Sequence, residues 1–179
     1  MTADAAPTAG AWVRDEPTQL AVEALKKGGV DFVASLPDTW LGEVANRVAA
    51  DPAFQFVPVT NEGEGLAICS GAWLTGRRAA LIMENSGLLV AMHQLETIST
   101  KYEIPVLLLI SNRGAVGDGV WWLQPLGERL IGLLEAMDVR YTTATRVDEI
   151  EPAIRDALVT MEMAKYPVAV LFGREAMRT

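Results

Sequence analysis

The chain has 179 residues, half of them hydrophobic and 21% charged, which suits one domain with a full core and excludes a disordered tail. With 15 Lys+Arg against 23 Asp+Glu the net charge is −8, and no basic cluster is longer than Arg77-Arg78, so no nucleic-acid partner is expected. A single cysteine, Cys69, and a single histidine, His93, leave neither an internal disulfide nor a Cys/His metal cluster, so no metal site is expected on this chain.

Residues 1–15, rich in Ala, Thr, Pro and Gly, have little to bury and are expected to stay mobile, with residues 16–179 forming one domain. No charged-then-apolar leader pattern opens the chain, and no apolar run reaches the roughly 18 residues of a membrane span, so the expected setting is the cytoplasm, away from the membrane. From Pro17, which suits a first turn, Leu20, Val22, Ala24 and Leu25 give a helical face that Gly28-Gly29 stops. A strand is predicted over Asp31–Leu36. Short apolar runs recur at Phe54–Thr60, Ala79–Met83, Pro105–Ile110, Val139–Thr143 and Pro167–Phe172, each separated by ten or more residues of helical character. Residues 125–137 and 148–164 carry Leu126, Leu130, Leu133, Leu134 and Ile150, Ile154, Leu158, Met161 at helical spacing, stripes that read as core. Strands that are continuously apolar imply burial on both faces. The expected fold is therefore α/β, a doubly wound and mainly parallel six-stranded sheet with helices on both faces.

Three motifs fail on their surroundings. Gly117-Asp118-Gly119 lies inside a long connection, does not follow a strand directly, and reads as a flexible turn. Gly63-x-Gly65 has Ile68 where a dinucleotide fingerprint needs its third glycine, and Glu62 and Glu64 would repel a pyrophosphate. Asn85-Ser86-Gly87 follows a strand like a nucleophile elbow, yet Glu84 and Leu88 occupy the flanking glycine positions.

Glu62 carries the most chemical meaning. It stands where the strand Phe54–Thr60 turns into a Gly-rich helix, beyond the carboxyl end of a strand, where open α/β sheets hold their ligands. A carboxyl group shielded from water there can donate or accept a proton. The alternative is an exposed acid that stabilises the helix N-terminus. Gly65, Cys69 and Ala72 share one face of this helix, open either to the chain's own sheet or to another subunit; Cys69 has no basic neighbour in sequence and reads as packing.

The run from Thr60 to Gly76, with Gly71 nine positions after Glu62, resembles the pyrimidine-binding (PYR) domain of thiamine-diphosphate enzymes, and among these the sulfopyruvate and phosphonopyruvate decarboxylases. The likeness continues through residues 80–88, 104–111 and Arg113-Gly114, covering most of residues 28–173. It implies that Glu62 hydrogen-bonds N1′ of the aminopyrimidine ring and promotes the imino form whose N4′ activates the thiazolium, with Asn85, Ser86 and Gly87 also at the cofactor. In this family a Gly-Asp-Gly motif followed by a later Asn binds Mg²⁺ and the diphosphate. No Asn follows Asn112, so the resemblance implies a β subunit that supplies that half, in a heterotetramer or larger hetero-oligomer.

Substrate contacts are expected from Asp38, which resembles an active-site acid of the family but could equally cap the following helix, and from Arg113, a guanidinium suited to gripping an acid group or equally a surface arginine, which with Gln124 resembles the Arg-Gly and later Gln of the family. His93 stands where related chains have Asn, as a hydrogen-bond partner or simply a satisfied helix residue. Leu89 and Val90 replace Gly and Asn, implying a drier pocket, and Trp121-Trp122 suits either a lid or a subunit contact. The expected activity is thiamine-diphosphate-dependent decarboxylation of a small sulfopyruvate- or phosphonopyruvate-like 2-oxo acid, occurring only with the partner. A carboligase subunit and a non-catalytic regulatory subunit are the alternatives.

Overall fold

The computed structural model describes residues 15–178. All six expected strands form: β1 (Phe32–Ser35), β2 (Gln55–Pro58), β3 (Ala79–Glu84), β4 (Leu107–Ser111), β5 (Arg140–Ala144) and β6 (Val168–Phe172). They make one sheet in the order β2-β1-β3-β4-β6-β5, every neighbouring pair parallel. The expected mobile segment lies outside the described residues except for Asp15, which opens helix α1 (Asp15–Lys27) and pairs with Arg47.

Helix α1 shows how local chemistry sets the boundaries. Asp15 and Glu16 in its first turn and Lys26 and Lys27 in its last complement the helix dipole, and Gly29, at φ 73°, takes the left-handed turn that lets Val30 N–H reach the Leu25 carbonyl at 3.0 Å. The other helices are α2 (Gly42–Ala50), α3 (Glu62–Leu74), α4 (Asn85–Gln94), α5 (Gln124–Ala136), α6 (Ile150–Ala164) and a short α7 (Arg174–Met177). A π turn, Leu95–Thr100, prolongs α4, where the Ser99 and Ser70 hydroxyls meet at 3.0 Å. No helix among the described residues is long and apolar enough to cross a membrane.

Side chains alternate along the strands and split the core into two layers. Ala80 and Ile82 face α1, α2 and α6, whereas Leu81 and Met83 face α3, α4 and α5. Full burial of a Leu or Ile side chain contributes about 1.5–3 kcal/mol, so these layers hold the sheet between its helices. Burial on both faces holds for β1, β3, β4 and β6 only. The expectation fails for β2 and β5, whose residues are mostly exposed or half-buried because they form the sheet edges. Pro58 is tolerated because β2 is an edge strand, and the ladder runs on past it to Val59 N–H, which donates to the Ser35 carbonyl at 3.0 Å.

The chain leaves β1 for the β2 edge and then returns through α3 to β3 on the other side. That reversal opens a crevice beyond the carboxyl ends of β1 and β3.

The small face of α3 packs on this chain's own sheet. A Cβ at Gly65 would lie 2.7 Å from a Leu81 methyl, and Cys69 is buried against the same layer with its thiol reaching the Ala80 carbonyl at 3.4 Å. Burial pushes the Cys69 thiol up to about 12, which makes it a packing group. Gly65→Val should therefore cost about 1–3 kcal/mol in urea denaturation, since the added methyls must push α3 off β3; a loss under about 0.5 kcal/mol would mean that α3 is not held that closely.

Candidate active site

The first turn of α3 divides its polar work among three residues. Asn61 caps the helix by accepting Glu64 N–H at 2.9 Å, and the Glu64 carboxylate turns back to accept Thr60 N–H at 3.0 Å and the Thr60 hydroxyl at 2.9 Å. Glu64, exposed to solvent, is thus part of the cap. Glu62 is spared that duty. It is 7% exposed, and none of the described residues donates a hydrogen bond to its carboxylate. Its side chain folds across Gly87 so closely that a Cβ there would stand 2.5 Å from Glu62 Cγ and 2.6 Å from Oε1. The glycine at 87 is what gives the buried acid room.

Gly87 belongs to the turn from β3 into α4. Asn85 is 2% exposed; its amide N–H donates to the Arg113 carbonyl at 2.6 Å, while its Oδ1 is buried without a partner among the described residues. The Ser86 hydroxyl donates to Glu84 Oε1 at 2.8 Å. Trp40 Nε1, Ser111 Oγ and Asn112 Oδ1 are also buried and unpaired, and like Asn85 they follow or end β1, β3 and β4. Unpaired buried polar atoms are rare in native folds; of the six among the described residues these four lie at one end of the sheet, while Gln94 Oε1 and Thr100 Oγ1 lie on α4 and the π turn after it.

Arg113 sits at the centre of this end. Its Nε donates to Asp118 Oδ2 at 2.8 Å, its Nη1 lies 3.6 Å from a Glu84 oxygen, and its guanidinium stacks 4.8 Å from the centre of the Trp40 ring. The side chains of Arg113 and Asp118 are both more than nine-tenths buried. Burial alone would favour protonation of Asp118, but hydrogen bonds from Arg113 and from the backbone N–H groups of Gly114 and Val120 outweigh it and hold the carboxyl below its ordinary value. The Gly-Asp-Gly motif is therefore the anchor of its own loop, with both Asp118 oxygens committed. Gly114, at φ 77°, permits that loop to close: a Cβ there would fall on the Leu123 carbonyl. Gln124, at the start of α5, donates to the Asp118 carbonyl.

The remaining expected site residues take different places. Asp38 accepts Trp40 N–H at 3.3 Å and Leu41 N–H at 3.0 Å, closing the turn that precedes α2 and sets Trp40 beneath Arg113; the N-cap of α2 itself is Leu41. His93 is exposed eight residues along α4 from Asn85, a rise of about 12 Å, and stands apart from the cluster. Leu89 and Val90 are exposed, so they do not line the crevice within this chain. Trp121 and Trp122 meet edge to face at 5.7 Å, both exposed on the 3-10 turn before α5. Among the described residues no three His, Cys, Asp or Glu side chains are placed to hold a metal ion. Sequence reasoning missed Glu84, Asp118 and Trp40; the signal for Glu84 was its place at the end of a central strand, the same logic that singled out Glu62.

No protein-family model matches the chain. It is 36% identical over 154 residues to the sulfopyruvate decarboxylase subunit alpha of Methanococcus maripaludis, covering 86% of this chain and 92% of that one. The chain belongs to the sulfopyruvate decarboxylase α-subunit family. The Methanothermobacter thermautotrophicus member is 30% identical over 156 residues, with 94% of it covered. Phosphonopyruvate decarboxylase of Streptomyces viridochromogenes is 31% identical over 145 residues, but only 36% of that longer protein is covered. Among solved structures, a 2-oxoglutarate:ferredoxin oxidoreductase from Magnetococcus marinus, with 2-oxoglutarate, coenzyme A and succinyl-CoA bound, superposes on 93% of this chain and 30% of its own, with a TM-score of 0.75 and 21% identity. That likeness concerns the fold, and it identifies the sheet of this sulfopyruvate decarboxylase α-subunit relative as PYR-type.

The buried pair generates a stability test. Asp118→Ala leaves the Arg113 charge with only the more distant Glu84, and unfolding in urea should show a loss of about 3 kcal/mol. A loss below about 1 kcal/mol would mean that Arg113 escapes to solvent when unpaired.

Proposed function

We propose that this chain is the α subunit of a two-subunit, thiamine-diphosphate-dependent decarboxylase of a small 2-oxo acid of the sulfopyruvate or phosphonopyruvate kind. The observation that carries the reading is Glu62, a buried acceptor to which none of the described residues donates, held over a glycine in a chain of this family. Such a carboxylate suits the ring nitrogen of an aminopyrimidine, which would supply the missing donor. Bound thiamine diphosphate supplies an electron sink for the pair released when CO₂ departs.

What this chain contributes is proton handling and shape. Glu62 holds a proton, or a hydrogen bond, at one atom of the ring. Gly87 keeps the approach to that atom clear, and Asn85 and Ser86 form the adjoining wall. Mg²⁺ and the diphosphate fall to a β subunit, a division supported by relatives that are named as subunits and by an Asp118 whose oxygens are already taken. Exposed Leu89 and Val90 on α4 and the Trp121-Trp122 pair offer apolar surface for that partner.

The experiment is reconstitution with the β subunit, thiamine diphosphate and Mg²⁺, followed by CO₂ release from sulfopyruvate and phosphonopyruvate. Glu62→Gln keeps the shape and removes the proton, so kcat should fall by about 10²–10⁴ with an unchanged melting temperature. A variant that retains full activity refutes the role given to Glu62. Added aldehyde that diverts the product into a new carbon–carbon bond would favour a carboligase.

A further inference from the structure

The carboxyl ends of β1, β3 and β4 bring three acids together around one buried guanidinium, with Arg174 and Arg178 close by. Asp38 comes from the turn before α2, Glu84 from the end of β3, and Asp118 from the loop after β4; Arg113 stands among them, and Arg178, beyond α7, lies within electrostatic reach of Asp38, Arg113 and Asp118. The three acids are not equally held. Asp118 accepts from the Arg113 fork and from two backbone N–H groups, and Asp38 accepts from two backbone N–H groups. Glu84 receives a single hydrogen bond, from the Ser86 hydroxyl, and only a 3.6 Å approach from Arg113, whose nearer contact is Asp118. It is the acid with the weakest claim on the shared cation.

Glu84 is also more open than Asp118, with 22% of its side chain exposed against 7%. It directly precedes Asn85, whose buried Oδ1 has no partner among the described residues, and it lies three residues before the glycine under Glu62. It stands at the carboxyl end of β3, beside the point where the chain reverses between β1 and β3.

Resting on the decarboxylase reading above, we propose that Glu84 sets the charge accepted on the tail of the 2-oxo acid: ionised, it disfavours a tail with its own anion, and protonated, it admits one. Arg113, the residue suited by type to grip such an anion, is already engaged by Asp118 and approached by Glu84, so an ionised Glu84 competes with the ligand for it. Protonation removes that competitor. Burial, with Asp38 and Asp118 nearby, raises the proton affinity of Glu84 above that of an ordinary carboxyl, and the Ser86 hydroxyl and Arg113 only partly oppose this. The change thus begins at a higher pH than for a free glutamate.

The test compares two tails on the reconstituted complex: kcat/KM for sulfopyruvate relative to 2-oxobutanoate, from pH 8 down to pH 5. A sulfonate stays ionised throughout, so any change in the ratio belongs to the protein. In the wild type the ratio should rise about tenfold on acidification; in Glu84→Gln it should be raised about tenfold already at pH 8 and stay flat. Equal ratios and equal pH slopes in the two proteins overturn the proposal. Calorimetric binding of 3-sulfopropanoate and butanoate to the same complexes reads the discrimination without turnover. A complex that decarboxylates neither acid, yet shows the Glu84-dependent binding ratio, overturns the proposed reaction and sustains the role of Glu84. One that decarboxylates both, with ratios indifferent to Glu84→Gln, does the reverse.

Discussion

The arrangement around the crevice depends on one buried guanidinium. Taking a charge out of water costs several kcal/mol, and Arg113 offsets that cost through Asp118 on its edge and the Trp40 ring on its face. Those contacts come from different parts of the chain. Asp118 belongs to the loop after β4 and Trp40 to the turn after β1, while the Arg113 backbone carbonyl binds Asn85 at the start of α4. Three connections at the carboxyl end of the sheet are thus fixed against one another. Asp38 acts in the same system, because its carboxylate sets the turn that carries Trp40.

A second economy operates at α3. A helix N-terminus must satisfy several backbone N–H groups, and an acid in the first turn is ordinarily drawn into that work. Here Asn61 and Glu64 perform it, and Glu62 stays buried and uncommitted beside Gly87. Glu62 and Glu64 are chemically alike and two residues apart. Their different fates follow from helix geometry, which turns one carboxylate back toward Thr60 and the other toward α4.

Much of this was legible along the chain. Six apolar runs separated by helical stretches specified a parallel α/β sheet, and the strand-to-helix turn at Glu62 marked the end of the sheet that matters. Less legible were the edges: β2 and β5 look like the other strands in sequence, and only strand order shows that they lack a neighbour on one side. In sequence, Arg113 reads as a candidate substrate clamp and Asp118 as part of a flexible turn. Their mutual hydrogen bond, across a loop that Gly114 lets close, ties one edge of the guanidinium to Asp118 and leaves its Nη1 toward Glu84.

The order of elements, the parallel sheet and the acid at position 62 were fixed by sequence, because hydrophobic periodicity, glycine stops and strand-to-helix turns act over a few residues. Only tertiary structure decided that Gly65 and Cys69 meet the sheet, that Asp118 takes Arg113, and that Glu84 is left as the least-held acid of its cluster. Close packing and the energy of a buried charge depend on neighbours distant along the chain, and on how much water the fold leaves between them.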